Sequence, residues 1–159
     1  VDGQEAVFVD SVANPSYSWR FRYNAGSSSP YKWECIGGAP AVSAVITSEP
    51  CSSTSFADIA TVGPQIVVPR SGEYVIEAAA AYHGNGAPAT LPSFGVRIAA
   101  AVANDARTYG SPTGLEDMSS LLIKRALVIG DTIKMQYRVA ANTGPFWNRN
   151  LTLTPVRVS

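Results

Sequence analysis

Residues 17–24 alternate without a break: Tyr17, Trp19, Phe21 and Tyr23 fall on one side of an extended chain, Ser18, Arg20, Arg22 and Asn24 on the other. A period of two is the side-chain repeat of a β-strand, and apolar residues on one face alone mark a strand covered on that side. The pattern returns downstream. Tyr31, Trp33 and Cys35 oppose Lys32 and Glu34; Ile133, Met135, Tyr137 and Val139 oppose Thr132, Lys134, Gln136 and Arg138. Phe94, Val96, Ile98, Ala100 and Val102 alternate against Gly95, Arg97 and Ala99. Alanine favours helix, so 97–106 has a helical alternative. The period of two and the β-branched residues outweigh it. Turn formers separate the segments: Ala25 to Pro30, Gly37-Gly38-Ala39-Pro40, and Asn142-Thr143-Gly144-Pro145. Such a chain is expected to be all-β and antiparallel.

The longest ordered stretch runs from Val62 to His83. Ile66 to Val68 ends at Pro69, Arg70-Ser71-Gly72 turns, and Glu73 to Tyr82 leaves as a strand carrying four consecutive alanines. Pro presets φ at the start of such a turn and Gly tolerates the conformations at its end. Small side chains on both faces predict a central strand with close neighbours. Further on, Leu121 to Ile129 closes at Gly130-Asp131, a two-residue hairpin signal. Leu151 to Val158 makes the last strand, with a bulge or sheet edge at Pro155. About three strands fall in residues 1–38, a small N-terminal β module for linking or trimerisation. Six to eight fall in residues 39–159, a number and length that suit a jelly-roll β-sandwich.

The chain of 159 residues is 46% hydrophobic and only 15% charged, with no net charge, enough for one domain with a packed core. Nine Arg and three Lys are scattered, with no basic run longer than Lys124-Arg125, which argues against nucleic acid or an anionic membrane as partner. No apolar run approaches the roughly 20 residues of a membrane-spanning helix. The opening Val-Asp-Gly-Gln-Glu has no initiator Met and no signal-peptide pattern, so the sequence reads as a fragment or a processed product. Cys35, Cys51 and a single His make no metal site, and no cofactor is expected. A disulfide between the two cysteines has no supporting pattern; buried or idle thiols are the preferred reading.

Enzymatic signals are weak. There is no Gly-x-Ser-x-Gly elbow and no phosphate-binding glycine loop. His83 sits in a Gly/Asn/Pro loop, where an exposed histidine is commoner than a general base. Glu116 and Asp117 are adjacent, which usually means a solvated turn rather than a glycosidase pair. No catalytic residue is assigned. Arg20, Arg22, Lys32 and Glu34 are explained by cross-strand ion pairing.

Several motifs occur in order. They are Tyr31-Lys32-Trp33-Glu34 with Gly37-Gly38, then Val68-Pro69-Arg70-Ser71-Gly72-Glu73-Tyr74, then Gly130-Asp131-Thr132. Asn148-Arg149-Asn150-Leu151 and Pro155-Val156-Arg157-Val158 close the series. The Pro69-x-x-Gly72-x-Tyr74 turn and the apolar last strand resemble jelly-roll heads of the complement-type and tumour necrosis factor-like superfamily. The ordered set, spanning nearly the whole chain, more closely resembles the distal domain of minor tail or tail-fibre proteins of tailed phages, particularly those infecting actinobacteria. Each motif alone is weak, and Cys35 departs from the large apolar residue expected there. The resemblance implies a non-enzymatic homotrimer of jelly rolls on an upstream fibre stalk. It would belong to the virion, at the tail fibre or tail tip, and engage the host surface. It carries over no set of binding residues.

Two surfaces follow as expectations. Tyr17, Trp19, Phe21, Tyr31 and Trp33 exceed what two or three strands can bury, and Ala79 and Ala81 allow close backbone approach. These seven are the candidate trimer interface. The alternative is that the N-terminal strands fold back onto the sandwich. Three polar loops, His83 to Pro92, Asn104 to Asp117 and Asn142 to Asn150, hold aromatics beside amides and carboxylates. That chemistry suits a cell-surface glycan or other envelope polymer. The candidates are His83, Asn85, Asn104, Asp105, Tyr109, Trp147, Asn148 and Arg149. Burial of Phe146 and Trp147 at a sandwich end or subunit seam is the competing reading. A structural trimerisation or capping role without adhesion remains open beside receptor binding, and a polysaccharide-degrading enzyme ranks below both.

Overall fold

The computed structural model describes residues 1–83, 91–101, 103, 105–108 and 116–159. Twelve strands are described, in two antiparallel sheets: β1(Glu5–Val9), β2(Ser18–Tyr23), β3(Trp33–Ala39), β4(Ala41–Val45), β5(Glu49–Cys51), β6(Gln65–Val67), β7(Gly72–His83), β8(Ser93–Ile98), β9(Asp105–Thr108), β10(Glu116–Leu127), β11(Thr132–Arg138) and β12(Gly144–Val158). The larger sheet runs β1-β2-β3-β12-β7-β10, with β4 and β5 also on β12; the smaller runs β6-β11-β8-β9. From β6 onward the chain crosses between sheets at almost every connection, which is the jelly-roll winding. The all-β sandwich expected from the alternation is what forms.

β7 is central, between β12 and β10. Its alternation divides cleanly: Tyr74, Ile76, Ala78, Ala80 and Tyr82 are all buried in the core between the sheets. Phe94 and Val96 from β8, with Ile133, Met135 and Tyr137 from β11, meet them from the smaller sheet. The Pro69–Gly72 turn is capped by Tyr74, whose hydroxyl donates to the Arg70 carbonyl at 2.7 Å. Gly72 admits no side chain, because a Cβ there would lie 2.2 Å from the Arg157 carbonyl oxygen.

The N-terminal strands join the same sheet and the same core. β3 pairs with β12 through Glu34–Arg157 and Trp33–Val158. Trp19 (1% exposed) and Phe21 are buried with Tyr74 and Val158, the Trp19 and Tyr74 rings 6.0 Å apart. The expectation that Trp19 and Phe21 lie between subunits is therefore corrected: they pack back onto their own sandwich. Tyr17, Tyr31 and Trp33 are half-buried.

Four local readings change. Gly37-Gly38 does not end a strand but continues β3 through a register shift beside Arg20 and Phe21 of β2. Gly38 has φ +115 there, and a Cβ would meet the Ser18 carbonyl oxygen at 1.9 Å. Gly130-Asp131 is no hairpin, because β10 and β11 belong to opposite sheets and the turn carries the chain between them. β8 stops at Ile98, where Ala99 takes φ 50, so the alternation through Ala100 does not continue as strand. Finally, residues 144–150 are strand rather than loop, because β12 pairs with β5 from Gly144 and with β7 from Phe146. The expected irregularity at Pro155 is present as a register shift between Pro155 and Arg157.

Candidate functional site

Of the loop residues singled out in the sequence, Asn85, Asn104 and Tyr109 lie outside the described residues. His83 ends β7 opposite Glu116 and Asp105 opens β9 opposite Val96; their side chains are likewise outside the description. Asp117 follows Glu116 on β10, across from Tyr82. The side chains of this carboxylate pair also lie outside the described residues.

The third segment is fully placed. Phe146 points inward, with ring centroids 5.1 Å from Tyr82 and 4.9 Å from Tyr137. Trp147 is half-buried beside Ala81, and its Nε1 is buried without a hydrogen-bond partner. Between Trp147 and Asn150 the register against β7 shifts, and Asn148 adopts φ 44 inside the bulge. Asparagine tolerates that left-handed conformation better than most side chains. The Asn150 side chain donates to the Asn148 carbonyl at 3.0 Å.

Arg149 is withdrawn from the binding candidates, since its side chain is 0% exposed. The bulge restores inward direction to Arg149, Leu151 and Leu153, all buried. Its Nη2 pairs with Glu49 Oε2 at 3.0 Å and donates to the Thr47 carbonyl at 3.5 Å. Nη1 donates to the carbonyls of Thr61 at 3.2 Å and Gly63 at 3.3 Å. The guanidinium lies 5.5 Å from the Tyr137 ring centre, and the Tyr137 hydroxyl also donates to Gly63. Glu49 in turn accepts from the Thr61 amide and hydroxyl. Burial works to raise the Glu49 carboxyl. The Thr61 hydrogen bonds and the Arg149 charge outweigh it and hold the group below the usual carboxylate range. This cluster fastens residues 47–63 to the sandwich, and its role is structural.

Two exposed features remain. On the outer face of the large sheet, Ala79 lies across from Ser120, Ala81 from Met118, and Glu77 from Leu122. Met118 (67%) and Leu122 (68%) are exposed, whereas Ala81 is already 1% exposed within the single chain. Toward the Gly72 end the same sheet becomes charged. Lys124 meets Glu73 at 2.9 Å, and Arg157 meets both Glu73 at 3.8 Å and Glu34 at 3.4 Å. The second feature is a groove of about 470 Å³ where the N-terminal module meets β4 and β6. Sequence reading missed it, because its walls are three segments far apart in the chain. Cys35 and Cys51 are both free. Among the described residues no group of three His, Cys, Asp or Glu side chains is placed to hold a metal ion. No described helix is long and apolar enough to cross a membrane.

No protein-family model matches the chain, and no curated protein aligns with it. Solved structures do. The globular domain of zebrafish complement 1qA protein aligns at 10% identity, covering 74% of this chain and 99% of that one, with a TM-score of 0.46. Rabbit GITRL aligns at 13% identity, covering 70% of this chain and 95% of that one, with a TM-score of 0.42. These are likenesses of fold, and the strand order described above is what makes this chain a jelly roll.

Proposed function

We propose that this chain is a non-enzymatic head domain of a tailed-phage tail fibre or minor tail protein, acting as a homotrimer at the virion's tail tip. It attaches to the bacterial cell surface through a carbohydrate or other envelope polymer. The carrying observation is the ordered series of motifs from Tyr31 to Val158, together with their positions. The Val68–Tyr74 turn enters the central strand, and Gly130-Asp131-Thr132 makes a crossing between sheets. The outer face of the large sheet supports self-association, because Met118 and Leu122 stand exposed beside small Ala79 and Ser120. Such a patch leaves room for another copy to approach.

The test is adsorption. The purified head should decorate cells of a susceptible strain and slow adsorption of the parent phage. A correctly folded trimer that does neither overturns the adhesive reading. A structural trimerisation or capping role is the second reading, favoured by the same exposed face, which serves assembly whether or not a receptor is bound. Competition separates the two: an excess of the folded head blocks adsorption of the parent phage under the adhesive reading and leaves it unchanged under the structural one.

A further inference from the structure

The groove at the junction of the N-terminal module and the sandwich combines apolar, aromatic and polar side chains. Val42 of β4 and Val67 of β6, both exposed, give it apolar ground. Tyr17 forms an aromatic wall, one side of its ring stacked on Trp19 at 4.3 Å between centroids. Around these stand Asp10, Ser43 and Gln65, each with hydrogen-bonding capacity to spare. Asp10 is held in place by Ser16, whose amide donates to Oδ1 at 2.8 Å and whose hydroxyl donates to Oδ2. Each carboxylate oxygen keeps a further acceptor site. Ser43 Oγ accepts from the Gln65 amide at 3.3 Å, which leaves its own proton free to donate. Among the described residues no hydrogen bond engages the Tyr17 hydroxyl or the Gln65 side-chain amide.

We propose that this groove is a binding site for a neutral pyranose unit of an envelope polysaccharide. An aromatic wall with valine beside it matches the C–H face of a sugar ring. A fixed carboxylate, a hydroxyl and an amide match a run of ring hydroxyls, which are donors and acceptors at once. The one formal charge lining the groove is the Asp10 carboxylate, so an anionic sugar or a phosphate is disfavoured there. Its open shape admits an internal unit of a polymer as well as a chain end. The inference rests on the adhesive reading above and adds a site to it. The expected contacts are at the module junction, on Asp10, Tyr17, Ser43 and Gln65.

The experiment titrates methyl α-D-glucopyranoside, methyl β-D-galactopyranoside and methyl α-D-mannopyranoside into the isotope-labelled protein and follows amide shifts. A parallel array of neutral oligosaccharides extends the panel. Saturable shifts with at least one glycoside or array glycan, centred on Asp10, Tyr17, Ser43 and Gln65, are expected. Asp10→Ala and Gln65→Ala should each weaken that binding about tenfold or more, with melting temperatures near that of the parent. Val67→Trp, at an exposed position, should abolish it by filling the groove. Shifts centred elsewhere, or variants that bind as the parent does, overturn the site. Adhesion to cells without any response to neutral sugars overturns the site while the adhesive reading stands. Absence of both adhesion and sugar binding overturns both.

Discussion

Arg149 shows how one residue changes meaning once its neighbours are known. In the sequence it stands between asparagines at the end of a polar stretch. In the fold it lies under the surface, held by Glu49 and three backbone carbonyls. Removing one member of a buried pair leaves the other charge uncompensated. Arg149→Met should therefore destabilise the domain by about 3–5 kcal/mol in urea unfolding. The double variant Glu49→Leu, Arg149→Met should recover a substantial part of that loss. The pH dependence has a definite sign. The Glu49 carboxyl is lower in the folded than in the unfolded chain, so its contribution is present above the unfolded value near 4.3. It is lost as pH falls through the folded value. Melting temperature should drop more steeply below about pH 4.3 in the parent than in the double variant. Equal slopes would remove Glu49 from the account. Trp19 belongs to the same scale. Trp19→Ala should cost about 3–5 kcal/mol in urea unfolding, because the ring is core.

At the scale of elements, the strands that read most clearly were those buried on one face only. β2 alternates in burial as it does in sequence, and β11 does so except at Gln136, which is buried. The elements that misread were those where the chain changes sheet or register. Gly38 looks like a breaker, yet it is required within β3 because the β2 backbone presses against it. Gly38→Ala combines a positive φ with a backbone clash and should lower stability by well over 1 kcal/mol. Gly3, at φ +80 with open space around it, makes a fitting control: Gly3→Ala should cost about 1–2 kcal/mol, less than Gly38→Ala because no backbone clash adds to it. Arg149 was partly legible, since its spacing from Leu151 and Leu153 already places it on the inward face of the last strand. The groove was not legible at all. Asp10, Ser43 and Gln65 share no period and no motif.

For the whole molecule, the outer face of the large sheet sets the expected assembly. Light scattering across a size-exclusion peak should give three copies. Leu122→Glu and Met118→Glu should shift the peak toward monomer while leaving far-ultraviolet circular dichroism unchanged, because neither side chain contributes to the core. A monomeric parent would remove this face as an interface. The division between sequence and structure then has a physical basis. Side-chain periodicity and turn chemistry are local, so residue order alone carries an all-β chain, a central strand after the Pro69–Gly72 turn, and an irregularity at Pro155. Which strands share a sheet, and which aromatics face the core, depends on contacts between residues far apart in the chain. Long-range packing is what makes Trp19 and Phe21 interior, turns Arg149 into a buried ion, and forms a polar groove where the first forty residues meet β4 and β6.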